Sequence, residues 1–131
     1  MNTIDDLIRE SNPRREITIQ GHKVPLLFTP AMLRHQLRDK AKLDESLDTT
    51  DQAAVWQAYV KLFYMSYLNL RDLREIDNSV PRDEPKYNLA DFEVWASGEG
   101  RKECAELLPV AVYHITGHAL RYYIERVQQL N

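Results

Sequence analysis

Residues 16–33, EITIQGHKVPLLFTPAML, decide the fold. Ile17 and Ile19 fall on one side of an alternating run with Thr18 opposite, the period of a half-buried strand. Gln20-Gly21-His22 reads as the turn, with Gly21 supplying a positive φ. Val24, Leu26 and Phe28 then share a face in a second run. Pro25 has no N–H to give a ladder, so this strand is an edge at that point. Thr29-Pro30 is a helix start, Thr as N-cap and Pro at the first helical position. A lone two-stranded hairpin is marginal in water. It must lean on helices or pair with another chain.

On the N-terminal side, Ile4, Leu7 and Ile8 give weak helical periodicity that stops at Asn12-Pro13, a short helix or loose arm over residues 1–14. On the C-terminal side the pattern is helical throughout. A helix over residues 30–43 turns Leu33, Leu37 and Ala41 inward. Asp48-Thr49-Thr50-Asp51 offers several N-caps for a long central helix over residues 51–76. Trp56, Val60, Phe63, Tyr67, Leu70 and Leu73 or Arg74 follow a 4-3-4-3 spacing, and Tyr59, Leu62, Met65 and Leu68 widen the stripe. Between Asp51 and Arg71 only Lys61 is charged. Such a helix is central in its fold or half-covered by another subunit.

Residues 77–88, DNSVPRDEPKYN, read as a polar loop and the most mobile segment. Asn88 is a plausible N-cap, with Asp91 at N3, for a short helix carrying Phe92, Val94 and Trp95. Ser97-Gly98-Glu99-Gly100 ends it. The last helical region runs over residues 101–130, with Pro109 expected to break or restart it. Tyr113, Gly117, Leu120, Ile124 and Val127 form a seam in which Gly117 costs roughly 1 kcal/mol, a cost that a close helix crossing would explain. The predicted fold class is α+β, mainly α: an N-terminal hairpin, then about four to five helices packed as an irregular bundle. One domain over residues 1–131 is expected.

With 131 residues the chain is long enough to bury roughly two thirds of its unfolded surface without a staple. Hydrophobic residues are 44% and charged residues 28%, which argues against wholesale disorder. Net charge is -3 and the signs are interspersed, a poor match to nonspecific DNA binding. The densest basic run, Arg34, Arg38, Lys40 and Lys42, is answered by Asp39, Asp44, Glu45, Asp48 and Asp51 and reads as a solvated helix face. The single Cys104 excludes an intrachain disulfide and suits a reducing compartment. The N-terminus MNTIDDLIRE does not resemble a signal peptide. The longest uncharged run, residues 107–120, is too short for a membrane span. A soluble cytoplasmic protein is expected.

Candidates for chemistry are few. His114 and His118 are four apart, so both are expected to point from one helix face. That spacing can hold a metal, with His22, His35 or Glu125 as third-ligand candidates, but Ile115 stands where HExxH needs a glutamate. The plainer reading is two polar residues hydrogen-bonded to neighbours. Cys104 lies between Glu103 and Glu106, and nearby negative charge disfavours a thiolate nucleophile paired with a histidine. Asp44, Glu45, Asp83 and Glu84 are in loop-like sequence and read as solvated rather than as an acid/base pair. Gly98 and Gly100, in SGEGRK, have no strand before them and form a helix–helix joint rather than a phosphate loop. Trp56, Tyr59, Phe63, Tyr64 and Tyr67 at helical spacing are core or interface residues before they are base-stacking platforms. No cofactor is called for.

The order of elements resembles that of tail assembly chaperones of long-tailed phages and prophages. A polar strand at residues 16–19, the turn at Gly21, an apolar strand at residues 24–28 and Thr29-Pro30 carry the likeness. NLADFEVWAS looks like the short helix that follows the central helix in these proteins, and ECAELLPVAVYHI like the next one. The likeness spans most of residues 15–125 and includes no catalytic signature. The loop at residues 77–88 and the terminal ERVQQLN do not map onto it. The resemblance implies a non-enzymatic protein that coats the apolar helices of a tape-measure client, recruits tail-tube subunits and self-associates. An amphipathic client helix would lie in an apolar groove, for which Trp56, Tyr59, Phe63, Tyr67 and Trp95 are the candidate lining residues. Two other classes stay open: a small bacterial regulatory or structural module acting as a dimer, and a metal-dependent enzyme built on His114 and His118.

Overall fold

The structure, a computed structural model, describes residue 8, residues 11–30 and residues 51–129. The helix expected over residues 30–43, most of the N-terminal arm, the basic run from Arg34 to Lys42 and His35 lie outside the described residues. The rest is α+β and mainly α, as the alternation and periodicity predict. A hairpin is followed by four helices among the described residues.

Strands β1 (Arg14–Ile19) and β2 (His22–Leu27) pair antiparallel, with Ile17 opposite Val24 and Ile19 opposite His22. Gln20 and Gly21 are the two turn residues, with φ of 53° and 81°. Two successive positive φ values make the primed turn whose twist matches the strands. Ile17, Ile19, Val24, Leu26 and Phe28 are all buried, so the alternation read from sequence is the burial pattern. In such a two-residue hairpin the pair Ile19–His22 is hydrogen-bonded, and the N–H groups of alternate residues point outward. Outward donors of β1 and its turn are met by carboxylates from a later helix and the turn before it. The Thr18 N–H donates to Glu103 Oε1 at 3.1 Å and the Gln20 N–H to Glu99 Oε1 at 2.7 Å. On β2, Pro25 has no donor and Lys23 carries a charge, two devices that blunt an edge. The hairpin therefore pairs within the chain.

Helix α1 (Gln52–Ile76) opens on Asp51, whose carboxylate accepts from the N–H groups of Ala53 and Ala54. It is the central element. Tyr59, Val60, Leu62, Phe63, Met65, Tyr67 and Leu70 are buried along it, and β2, α2 (Leu89–Ser97) and α3 (Arg101–Thr116) all pack on it. Helix α2 starts with a reciprocal cap between Asn88 and Asp91, at 2.8 and 2.9 Å.

Two expectations for the C-terminal third are corrected. Pro109 does not end a helix, because α3 runs through it to Thr116. Proline removes the donor that Ala105 would have received. Burial of Leu108, Val110, Ala111, Val112 and Ile115 around it carries the helix across that defect. The break comes instead at Gly117, with φ of 81° and its N–H donating to the Tyr113 carbonyl at 2.8 Å. A left-handed glycine is a standard helix stop. A Cβ there would meet nothing within 4 Å, so no tight helix crossing explains this glycine. The seam from Tyr113 to Val127 is thus split between α3 and α4 (Leu120–Gln129).

Gly100, the residue before α3, has the steric role. A Cβ at this position would lie 1.9 Å from Nε1 of Trp95. Its own N–H donates to the Trp95 carbonyl at 2.8 Å, and its carbonyl accepts from Cys104 at 2.7 Å. Replacing Gly100 by Ala must displace the buried indole. We expect Gly100→Ala to destabilise the fold by about 1–3 kcal/mol, measured by chemical denaturation, with Gly98→Ala costing less.

Candidate interaction site

The candidate groove residues can now be placed. Phe28 meets Phe63 edge to face at 5.6 Å, and Phe63 lies 5.6 Å from Trp95. Phe92 lies 6.2 Å from Trp95 and 5.5 Å from Tyr67, and Tyr67 lies 5.9 Å from Tyr87. Tyr59, Phe63, Tyr67 and Trp95 are therefore core of this chain. Only Trp56, 37% exposed, offers its ring to a partner. The wide apolar face of α1 is covered from three sides by β2, α2 and α3, so its middle leaves no groove.

Exposed apolar side chains lie at its ends. At 1.5 Å per residue a 25-residue helix is about 37 Å long, against about 24 Å for sixteen-residue α3, about 13 Å for nine-residue α2 and about 20 Å for a six-residue strand. The apolar stripe outruns its cover. Trp56 emerges at one end, and Leu73 (41% exposed) and Ile76 (77% exposed) at the other. Leu73 and Ile76 are three apart and share a face. Among the described residues, Val94 on α2 and Tyr122 and Ile124 on α4 are the other large exposed apolar residues. Leu73 belongs to the stripe read from sequence. Ile76 falls outside it, although its place just before the helix stop marks it as terminal.

Beside the exposed end, the loop expected to be mobile is tied down. Arg74 Nη2 donates to Glu84 Oε1 at 2.6 Å, and Arg71 Nη1 to Glu84 Oε2 at 3.4 Å. Arg71 also reaches Glu75 at 3.1 Å and the Pro85 carbonyl at 3.4 Å. The Tyr67 hydroxyl accepts from the Tyr87 N–H at 3.1 Å and from Arg71 at 3.3 Å. Between this loop and the outer edge of β2 is a cavity of about 320 Å³, lined by His22, Lys23, Pro25, Tyr67, Pro81 and Tyr87 among others. The hydroxyl of Tyr87, Nε1 of Trp95 and both amide atoms of Asn69 are buried without a hydrogen-bond partner among the described residues.

His114 and His118 do not share a helix face, because α3 ends at Thr116 between them. His114 Nε2 is 3.2 Å from Ser11 Oγ. His118 stacks on Tyr122 at 4.2 Å, and its N–H donates to Thr116 Oγ1 at 3.1 Å. Among the described residues no three His, Cys, Asp or Glu side chains gather as a metal site would require. Cys104 is fully buried, and desolvation, with Glu103 adding repulsion, pushes its thiol up to about 12. It is a small core residue and not a thiolate at neutral pH. No helix of the described residues is long and apolar enough to cross a membrane.

Compared with known proteins, the chain matches no family model, no curated protein and no solved structure.

Burial holds the His114 pKa below its ordinary value of 6.5, and Arg15 acts the same way against an opposing hydrogen bond that the ring donates to the Ser11 backbone. The native state thus binds this proton more weakly than the unfolded chain, and stability rises with pH across the window between the two values. We expect the denaturation midpoint to fall as pH drops through 6.5 towards the native value. His114→Gln should flatten that part of the profile.

Proposed function

We propose that this protein is a non-enzymatic assembly protein, resembling a phage tail assembly chaperone, that binds apolar helices of a tape-measure-like client and self-associates. The observation that carries the reading is the overhang of α1, which leaves Leu73 and Ile76 exposed on one face. Two aliphatic side chains three apart at a helix end form an exposed apolar contact for a client helix or a second copy. Trp56 at the opposite end gives a second contact point of the aromatic kind enriched in interfaces. On this reading the protein works in the cytoplasm, of a bacterial host if it is phage-encoded. Its partners are proteins, with no nucleic acid and no membrane.

Light scattering across a concentration series tests it, with metal analysis on the same sample. The reading expects reversible, concentration-dependent association. Leu73→Lys with Ile76→Lys should weaken that association by about 2 kcal/mol, or roughly thirtyfold. Lysine near a helix C-terminus suits the helix dipole, so the denaturation midpoint should barely move. A monomer at every concentration carrying one metal ion per chain would overturn the reading.

A further inference from the structure

We infer that residues 79–87 form a strap that opens as a unit while the rest of the chain stays folded, with Glu84 as its catch. The inference rests on the structure of this segment and not on the assembly reading. Four observations converge on it. First, the segment contains no helix or strand, so its release breaks no ladder. Second, its attachment is largely polar. Glu84 holds both Arg71 and Arg74, the Pro85 carbonyl accepts from Arg71, Ser79 donates to the Arg74 carbonyl through its N–H and hydroxyl, and the Tyr67 hydroxyl holds the Tyr87 N–H. Val80 and Glu84 are half-buried and Tyr87 is buried, while the other side chains of residues 79–87 are exposed. The Tyr87 ring is the one buried apolar side chain in the segment, and it is the main apolar surface that opposes opening. Third, a cavity of about 320 Å³ lies between the segment and the outer edge of β2 beside Pro25. Fourth, closure traps the Tyr87 hydroxyl with no partner among the described residues. A buried unsatisfied hydroxyl penalises the closed form, and water relieves that penalty on opening.

The catch and the penalty act in opposite directions on one equilibrium. Arg71 and Arg74 sit on α1 and stay in place when the strap leaves. Opening turns the ring faces of Tyr67 and Tyr87, now 5.9 Å apart, towards solvent. This gives the fold a closed state with those aromatics covered and an open state with them available.

Hydrogen exchange read at the Tyr87 amide tests the strap, with the amide of Phe63 in the core as the global reference. Tryptic cleavage after Lys86 gives a second readout. Glu84→Gln keeps the side chain's shape and removes its charge. It should speed exchange at Tyr87 and cleavage after Lys86 at least tenfold, with exchange at Phe63 unchanged. Tyr87→Phe keeps the ring and the backbone bond to Tyr67 but removes the orphaned hydroxyl. It should slow both readouts several-fold. Opposite responses of the two variants establish the catch and the penalty together. Equal acceleration at Tyr87 and Phe63 in Glu84→Gln would mean that the segment opens only with the whole fold and would overturn the inference. No change in Glu84→Gln would overturn it too, as would acceleration in Tyr87→Phe.

Discussion

The rings of Phe28, Phe63 and Trp95 meet in series, and through them the hairpin, α1 and α2 are joined. Phe28 closes the second strand, Phe63 lies mid-helix on α1 and Trp95 ends α2, so three elements distant in sequence share one contact. Edge-to-face aromatic pairs contribute about 0.5–1.5 kcal/mol each beyond their buried area. Their geometry also constrains what surrounds them. The Trp95 indole takes the space where Gly100 would carry a side chain, and that places the start of α3 against α2. Once α3 starts there, Glu99 and Glu103 stand opposite the outer edge of β1.

The hairpin shows how a two-stranded sheet, marginal alone, becomes part of a fold without inviting further strands. One face is buried on α1. One edge is capped by carboxylates, and the other is blunted by Pro25 and Lys23. Free apolar surface is consequently displaced from the sheet to the helix ends. Helix α1 is longer than any described element packed on it, and it leaves Leu73 and Ile76 exposed at its end.

The segment between α1 and α2 shows the limit of reading loops by composition. Two prolines and many charges mark it as a loop, but they do not show that Glu84 bridges two arginines one turn apart on α1. Arg71 and Arg74 are spaced three apart, so both face the same side, and a single carboxylate can bridge them. That bridge crosses from one element to another and leaves no periodicity in either. The same blindness explains the candidate interface. Tyr59, Phe63, Tyr67 and Trp95 were legible as apolar and helical, but whether their faces meet this chain or another depends on where α2 and α3 dock.

Local pattern by itself determined the alternating strands, the turn at Gly21, the Asn88 cap, the extent of α1 and the α+β class. Each is set within a few residues by backbone sterics, side-chain period or a capping hydrogen bond, so no distant contact is needed to read it. Tertiary structure decided where the last helical region breaks. Burial on both sides carries α3 through Pro109, and the left-handed turn at Gly117 stops it. It also separated His114 from His118, buried four of the five candidate interface residues and moved the exposed apolar surface to the end of α1. These outcomes depend on which faces are covered and how far each element reaches. Burial is a property of neighbours in space, and a linear pattern states only which faces are able to be buried.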